Sequence, residues 1–352
     1  MVKFLGIGVT HDASEVNPRS GGVFDRSYTS ELITAHEKNG WDGLIFHYNS
    51  ATVDPSIVAT YASTISESIQ LIIAVRPNTC APTYMAKKIA TLDTITQGRV
   101  GLHVISGGYA AEQLAEGDSL DKDRRYARAG EFIEICRRSW TESAPFSYNG
   151  EFFETENFYS DVRCADPAGV TVSTAGMSDS ALKLAATRAD RHALWGMPLA
   201  ETKTFVDELR RHCDEAGREN LPEIQMQFRP ILGETTSAAR KHADDIMLRM
   251  QKNLGGWAAG RTPETAGAAH ALEVLKKGEW HDECFWAGPA GEVSGTGNNT
   301  ALVGTPAQIA DALCQYNDLG VTVFGLNDYD TLQGAIEFGR DVIPIVRKGL
   351  AG

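Results

Sequence analysis

Short β-branched runs alternate with amphipathic helical patterns along the chain, and this alternation most limits what the chain can fold into. The predicted strands are Lys3–Val9, Gly43–His47, Gln70–Val75, Val100–Ile105, Val170–Thr174, Ala193–Trp195, Glu223–Phe228 and Val321–Leu326. The predicted helices between them cover Ser27–Asn39, Pro55–Ser66, Thr83–Thr96, Arg125–Trp140, Asp179–Arg188, Thr202–Ala216, Thr236–Met250 and Pro306–Asp318, and a last one, Thr331–Val346, follows the eighth strand. Eight strands, each followed by a helix, imply a closed parallel barrel, because every crossover must return the chain to the same edge. Most of the strand runs are apolar on both faces, as strands between a core and an outer helical layer must be. The rival, an open doubly wound sheet, usually carries GxGxxG after its first strand, and none is present. The expected fold class is α/β, a (β/α)8 TIM barrel with insertions after strand 4, before strand 5 and before strand 8, forming one domain over residues 1–352.

The insertions are predicted at Gly107–Asp123, Ala144–Asp166 and Gln251–Asn299. The second contains SYNGEFFETENF, two extended arms around Asn149-Gly150, a strong two-residue hairpin signal. The third carries Gly-Gly, Gly-Pro and GTGNNT and reads as a mobile insertion over one end, since long irregular loops are commonly functional.

Composition narrows the partners. A formal charge of −13 argues against non-specific binding to nucleic acid or to an anionic membrane. The six cysteines are scattered with no CxxC, and the nine histidines show no HExxH, so no metal site is expected. Isolated cysteines, a start that turns polar early and no membrane-length apolar run point to a cytoplasmic protein.

In such barrels chemistry gathers where strands end. The predicted exits present Thr10-His11-Asp12, His47-Tyr48-Asn49, Arg76-Pro77-Asn78, Ser106-Gly107-Gly108, Ser173-Thr174-Ala175-Gly176-Met177-Ser178, Trp195, Arg229 and Asn327-Asp328-Tyr329. At the fifth exit, AGMSDS enters the helix SALKLAA, whose free N-terminal amides and Ser178 hydroxyl could take a phosphate. The same Ser178 or Asp179 could equally serve as an ordinary N-cap.

The blocks VRPNTCAPTYMAKKIATLDTITQGRVGLHVISGG, RRYARAGEFIEICRRSW, STAGMSDSALKLAATRADRHALWG and ALVGTPAQIADALCQYNDLGVTVFGLNDYDTLQGAIEFGRDVIPIV resemble the bacterial-luciferase-like flavin monooxygenases, most of all the alkanesulfonate monooxygenases. The resemblance implies the same barrel and a two-component system. An NAD(P)H-dependent reductase supplies reduced FMN (FMNH2), O2 converts it to a C4a-peroxyflavin, and a small organic substrate is oxygenated. In the sulfonate branch this cleaves C–S to aldehyde and sulfite. It also implies a homodimer or homotetramer.

Carried over by position, Tyr126, Gly176, Met177 and Ser178 look like flavin phosphate ligands, and His103 and Ser106 match positions facing the isoalloxazine. His11, Trp195, Arg229 and Tyr329 match the reacting side, with Arg229 balancing peroxide or sulfonate charge. Two departures stand out. The sulfonate enzymes carry a histidine two residues beyond the strand-seven arginine, where this chain has Ile231, and the third insertion offers one arginine, Arg261. Alternatives on the same barrel are an F420-dependent oxidoreductase and a non-catalytic flavin-binding barrel.

Overall fold

The computed structural model describes residues 2–256 and 262–350. Its strands are β1 (Lys3–Ile7), β2 (Gly43–Phe46), β3 (Gln70–Val75), β4 (Val100–Val104), β5 (Phe146–Asn149), β6 (Glu154–Phe158), β7 (Thr171–Ala175), β8 (Arg191–Trp195), β9 (Glu223–Leu232), β10 (Trp280–His281), β11 (Phe285–Trp286), β12 (Ala301–Gly304) and β13 (Val321–Leu326). The main sheet runs β10-β11-β12-β9-β13-β1-β2-β3-β4-β7-β8, and a β8–β9 pairing closes eight of these strands into the expected (β/α)8 barrel. All eight predicted strands are present. The chain divides into two compact units: residues 1–44, 193–211 and 223–352, and residues 45–192 and 212–222.

In the second unit the barrel strands β3, β4 and β7 are largely buried on both faces, β4 (VGLHV) along its whole length. The parallel registers Val75↔Val104 and Val104↔Thr174 bring β3, β4 and β7 to their C-terminal ends at one level. Arg76, Ser106 and Gly176 therefore emerge along one edge. The helix before β4, Pro82–Thr96, starts on a proline and stops where Gln97 turns left-handed at φ 56° and Gly98 follows at φ 93°. Asp93, 2% exposed on that helix, accepts the Val100 amide at 3.3 Å and the Ala165 amide at 2.7 Å. One buried carboxylate thus ties helix, strand and returning loop together.

The hairpin β5–β6 forms where Asn149-Gly150 predicts it, but its connection is longer than two residues. Gly150 N bonds Phe153 O at 3.0 Å, and the amides of Glu151, Phe152 and Phe153 all donate to the Glu131 carboxylate at 2.7, 3.0 and 3.1 Å. A carboxylate on the adjacent helix organises the turn, so its length follows from a distant residue instead of the Asn-Gly pair.

In the first unit, β1 pairs with β13 and β13 with β9, the latter up to Phe228↔Leu326. The predicted end of strand seven at Phe228 is corrected here, since β9 continues to Leu232. Its second half changes partner and pairs with β12 from Ala301↔Arg229 onward. A ladder remains available to the backbone beyond Phe228 because the apolar ALVG run supplies it. The insertion expected at 251–299 carries the helices Ala266–Lys277 and Pro289–Glu292 with β10 and β11 between them. Its arginine, Arg261, lies outside the described residues. The last predicted helix is in fact two, Thr331–Asp341 and Ile343–Gly349. Pro344 has no N–H to continue the ladder and clashes with the preceding turn. Among the described residues no helix is long and apolar enough to cross a membrane.

Asp93→Ala should destabilise the fold by about 2–3 kcal/mol, the scale of losing hydrogen bonds to a buried charged acceptor, read from urea unfolding. A change under about 0.5 kcal/mol, the size of an ordinary surface substitution, would show that the carboxylate holds nothing together.

Candidate functional site

Two polar clusters occupy strand exits, one in each unit. In the second unit the exits of β4 and β7 carry His103, Ser106, Tyr126, Gly176, Met177 and Ser178. His103, 9% exposed, lies 2.8 Å through Nδ1 from the Ser173 hydroxyl. Burial pushes its imidazole down to about 4, with His192 and Arg191 pushing the same way, so it is neutral near pH 7. His192 has no accessible surface; its Nε2 donates to Gly176 O at 2.7 Å, which leaves Nδ1 to accept from the Thr174 hydroxyl at 2.9 Å. That pair of bonds sets the ring's tautomer and holds the β7 exit loop. Burial pushes His192 to about 4 as well.

Gly176 sits at φ 127°, and a Cβ there would fall 2.4 Å from the Tyr126 hydroxyl and 2.9 Å from Ala181 Cβ. Only glycine fits this left-handed, closely approached position. Tyr126 donates to Ala175 O at 3.3 Å, and burial raises its phenol above the ordinary value. Ser178 stands at the N-cap of the helix Asp179–Arg188, yet its side chain accepts no amide hydrogen bond there. Its Oγ is shielded from solvent and interacts with the Tyr126 phenol instead of a first-turn amide, so the ordinary N-cap reading fails for Ser178. The first-turn amides are left for another acceptor.

Ser106 Oγ is likewise buried without a partner. The loop after it is held from behind by Arg125, 7% exposed, which donates to the carbonyls of Ser106 at 2.9 Å, Leu120 at 2.6 Å and Gly107 at 3.4 Å. Met177 is half-buried beside Ser178. Arg76, 3% exposed, is clamped by Glu112 at 2.6 Å and Glu116 at 2.9 Å, both from the insertion after β4. Tyr48 donates to Glu116 at 2.6 Å and lies under the Arg76 guanidinium, 5.0 Å from its ring centre. Arg76 thereby seats that insertion on the exits of β2 and β3.

In the first unit His11, Trp195 and Tyr329 stand at the ends of β1, β8 and β13, whereas Arg229, expected at the end of strand seven, lies within β9 where that strand changes partner from β13 to β12. His11 donates through Nδ1 to Val23 O at 3.2 Å, which presents Nε2 as the acceptor nitrogen of the neutral ring. Thr10 pins the same loop, donating to Val23 O at 2.7 Å. Trp195 is half-buried at the end of β8. Arg229 is 8% exposed, with its Cζ 4.7 Å from the Tyr329 ring centre. Tyr329 is buried, reaches Asn299 Oδ1 at 3.5 Å, and burial drives its phenol well up.

Sequence reasoning missed Glu15, which binds Arg229 Nη2 through both carboxylate oxygens at 2.9 and 3.0 Å. It also missed His192 and the Arg76 clamp; only the presence of Arg76 at a strand exit signalled the latter. Ile231, where the sulfonate enzymes carry histidine, is fully buried among Val16, Ala239, Ile246, Trp286 and Tyr329. Its neighbours are apolar, which accounts for an aliphatic residue there. Among the described residues no three His, Cys, Asp or Glu side chains gather as a metal site.

A model of the luciferase-like monooxygenase family matches residues 5–323. Among solved structures, riboflavin lyase (RcaE), determined with modified FMN and riboflavin, aligns at TM-score 0.79 and 17% identity over 99% of this chain and 92% of its own. DmoA from Hyphomicrobium sulfonivorans aligns at TM-score 0.79 and 20% identity, covering 99% and 88%. An F420-dependent secondary alcohol dehydrogenase, in complex with an F420–acetone adduct, aligns at 0.71 and 16%, covering 98% and 99%. At these identities the structural likenesses show the fold.

Asp328 provides a pH test of the β13 exit. Burial pushes its carboxyl from 3.8 up to about 6, partly offset by the Asp330 amide and by His242 and Arg229. The native state holds this proton more tightly than the unfolded chain. The stability it contributes is therefore full below pH ~4 and lost as pH rises through ~6. Asp328→Asn should raise the thermal midpoint relative to the parent progressively between pH 4 and 7, followed by circular dichroism. A constant difference across that range would refute the assignment.

Proposed function

Because the chain belongs to the luciferase-like monooxygenase family, we propose that it is a two-component monooxygenase that takes reduced FMN from a separate NAD(P)H-dependent reductase. It uses O2 to oxygenate a small organic, organosulfur-type substrate. The overall balance is FMNH2 + O2 + substrate giving FMN, oxygenated substrate and water. The observation that carries this reading is the β7 exit: a shielded Ser178 hydroxyl that faces Tyr126 and caps no amide, helix amides without a side-chain cap, and a glycine-only cradle against Tyr126. Together these groups fit a phosphate monoester dianion, which the helix N-terminus also favours electrostatically.

In this reading Tyr126, Gly176, Met177 and Ser178 hold the phosphate end of the flavin. His103 and Ser106 serve its ring. Neutral His103 can donate or accept one hydrogen bond without bringing a charge to the ring, and Ser106 Oγ still lacks a partner. Gly107 and Gly108 end the strand with no side chain to obstruct a planar group. Bound reduced flavin supplies the oxygen activation. His11, Trp195, Arg229 and Tyr329 serve the substrate: His11 Nε2 can accept a proton, Tyr329 OH can donate a hydrogen bond, and Trp195 provides an apolar wall. Cleavage of an alkanesulfonate to aldehyde and sulfite is the form of this chemistry that the sequence resemblance favours. Hydride transfer with F420 is the second reading, and the F420-dependent dehydrogenase among the structural relatives favours it. The net charge of −13 weighs against a groove for a polyglutamate tail. We further propose a cytoplasmic homodimer or homotetramer.

Anaerobic fluorescence titration separates these readings, with reduced FMN expected to bind in preference to oxidised FMN and reduced F420. Ser178→Ala should weaken reduced FMN about tenfold or more, the scale of one hydrogen bond to a charged group, while leaving reduced riboflavin unaffected. Equal losses for FMN and riboflavin would remove Ser178 from the phosphate site.

A further inference from the structure

Between the exits of β1 and β13, at the point where β9 changes partner, the buried Arg229 guanidinium already makes four hydrogen bonds. Arg229 gives Nε to Asn298 O at 2.9 Å, Nη1 to Asp328 O at 3.3 Å and Nη2 to both oxygens of Glu15. The Tyr329 ring covers one face of the guanidinium plane. The ion pair is shielded, with side-chain exposures of 9% for Arg229 and 23% for Glu15. Its apolar neighbours Val16, Ile231 and Tyr329 are buried.

Among the described residues no second Lys or Arg is paired with Glu15, and His242 acts on Asp328. Asp12 and Asp328 stand in the same two exit loops. Arg19 lies on the β1 loop but is exposed. Arg249 is turned to Val16 O at 3.1 Å. An anion seeking Arg229 would have to displace Glu15 and leave that partly shielded carboxylate unpaired beside it, an arrangement that costs both the ion pair and like-charge repulsion. An uncharged molecule meets a pair that is already neutral and has no ion pair to displace.

Building on the monooxygenase reading, we infer that Glu15 determines substrate charge: by neutralising Arg229 it selects uncharged organic substrates, sulfides and sulfones included, and rejects sulfonates. The role assigned to Arg229 changes accordingly. It ties the Asn298, Asp328 and Glu15 segments together and is not a receptor for an anionic head group.

The probes are methyl pentyl sulfone and 1-pentanesulfonate, matched in chain length and in the sulfonyl group but not in charge. Binding is followed by tryptophan fluorescence, in flavin-free protein and anaerobically with reduced FMN. The wild type should bind the sulfone at least about tenfold more tightly than the sulfonate, the scale expected when a like charge must be accommodated. Glu15→Gln should strengthen sulfonate binding at least about tenfold and leave the sulfone within about threefold, because only the charged probe senses the carboxylate. Glu15→Asp, which keeps the charge, should retain the parent preference, and circular dichroism checks that each variant is folded. Sulfonate binding as tight as sulfone binding in the wild type, an unchanged ratio in Glu15→Gln, or binding of neither probe overturns the inference. Absence of reduced FMN binding with the ligand preference intact would instead remove the monooxygenase reading and leave the charge selection standing.

Discussion

Burial of the parallel strands on both faces governs the rest of the molecule. Strand β4 is covered along its full length and β3 along nearly all of it, so an ionised side chain within them would face a desolvation cost of several kcal/mol. Within the strands His103 and His192 are held neutral by burial, and Arg229 in β9 is paired. The buried charges are tied into networks that also position loops. Arg76 is neutralised by Glu112 and Glu116, and Arg229 by Glu15. Arg125 is satisfied by backbone carbonyls alone.

The two clusters differ in what they leave unsatisfied. At the β4 and β7 exits, Ser106 Oγ is shielded without a partner, and Ser178 Oγ is shielded and caps no helix amide. The histidines behind them are neutral because burial disfavours the imidazolium. Donors left open beside a helix N-terminus favour an anionic group electrostatically. In the other unit the buried Arg229 is already balanced by Glu15. One cluster thus leaves polar groups open, while the other is internally neutralised. Neither property follows from the overall charge of −13.

How much of this was legible depended on the range of the interaction responsible. The eight strand–helix units were readable because hydrophobic period and capping are local. Asn149-Gly150 marked the hairpin, but the length of its turn was set by Glu131 on another element. Pro344 was a local signal for the break between the last two helices, and the apolar period across it obscured that signal. The extension of β9 beyond Phe228 depended on β12 being available as a partner about seventy residues later, a pairing that no local pattern specifies. Among site residues, Tyr126, Gly176 and Ser178 could be located because the resemblance supplied a motif. His192 reads as an ordinary strand residue until its ring is seen bonded to Gly176 O.

By itself the sequence determined the barrel, the family resemblance and the residue types at the strand ends. Periodicity, turn chemistry and motif spacing are carried by residues within a few positions of one another. Only the tertiary structure decided the electrical state of those residues. Whether Arg229 is an open cation or half of a neutral pair depends on Glu15, more than two hundred positions away. Charge compensation in a dry site depends on distances of about 3 Å, which chain folding sets and local pattern does not.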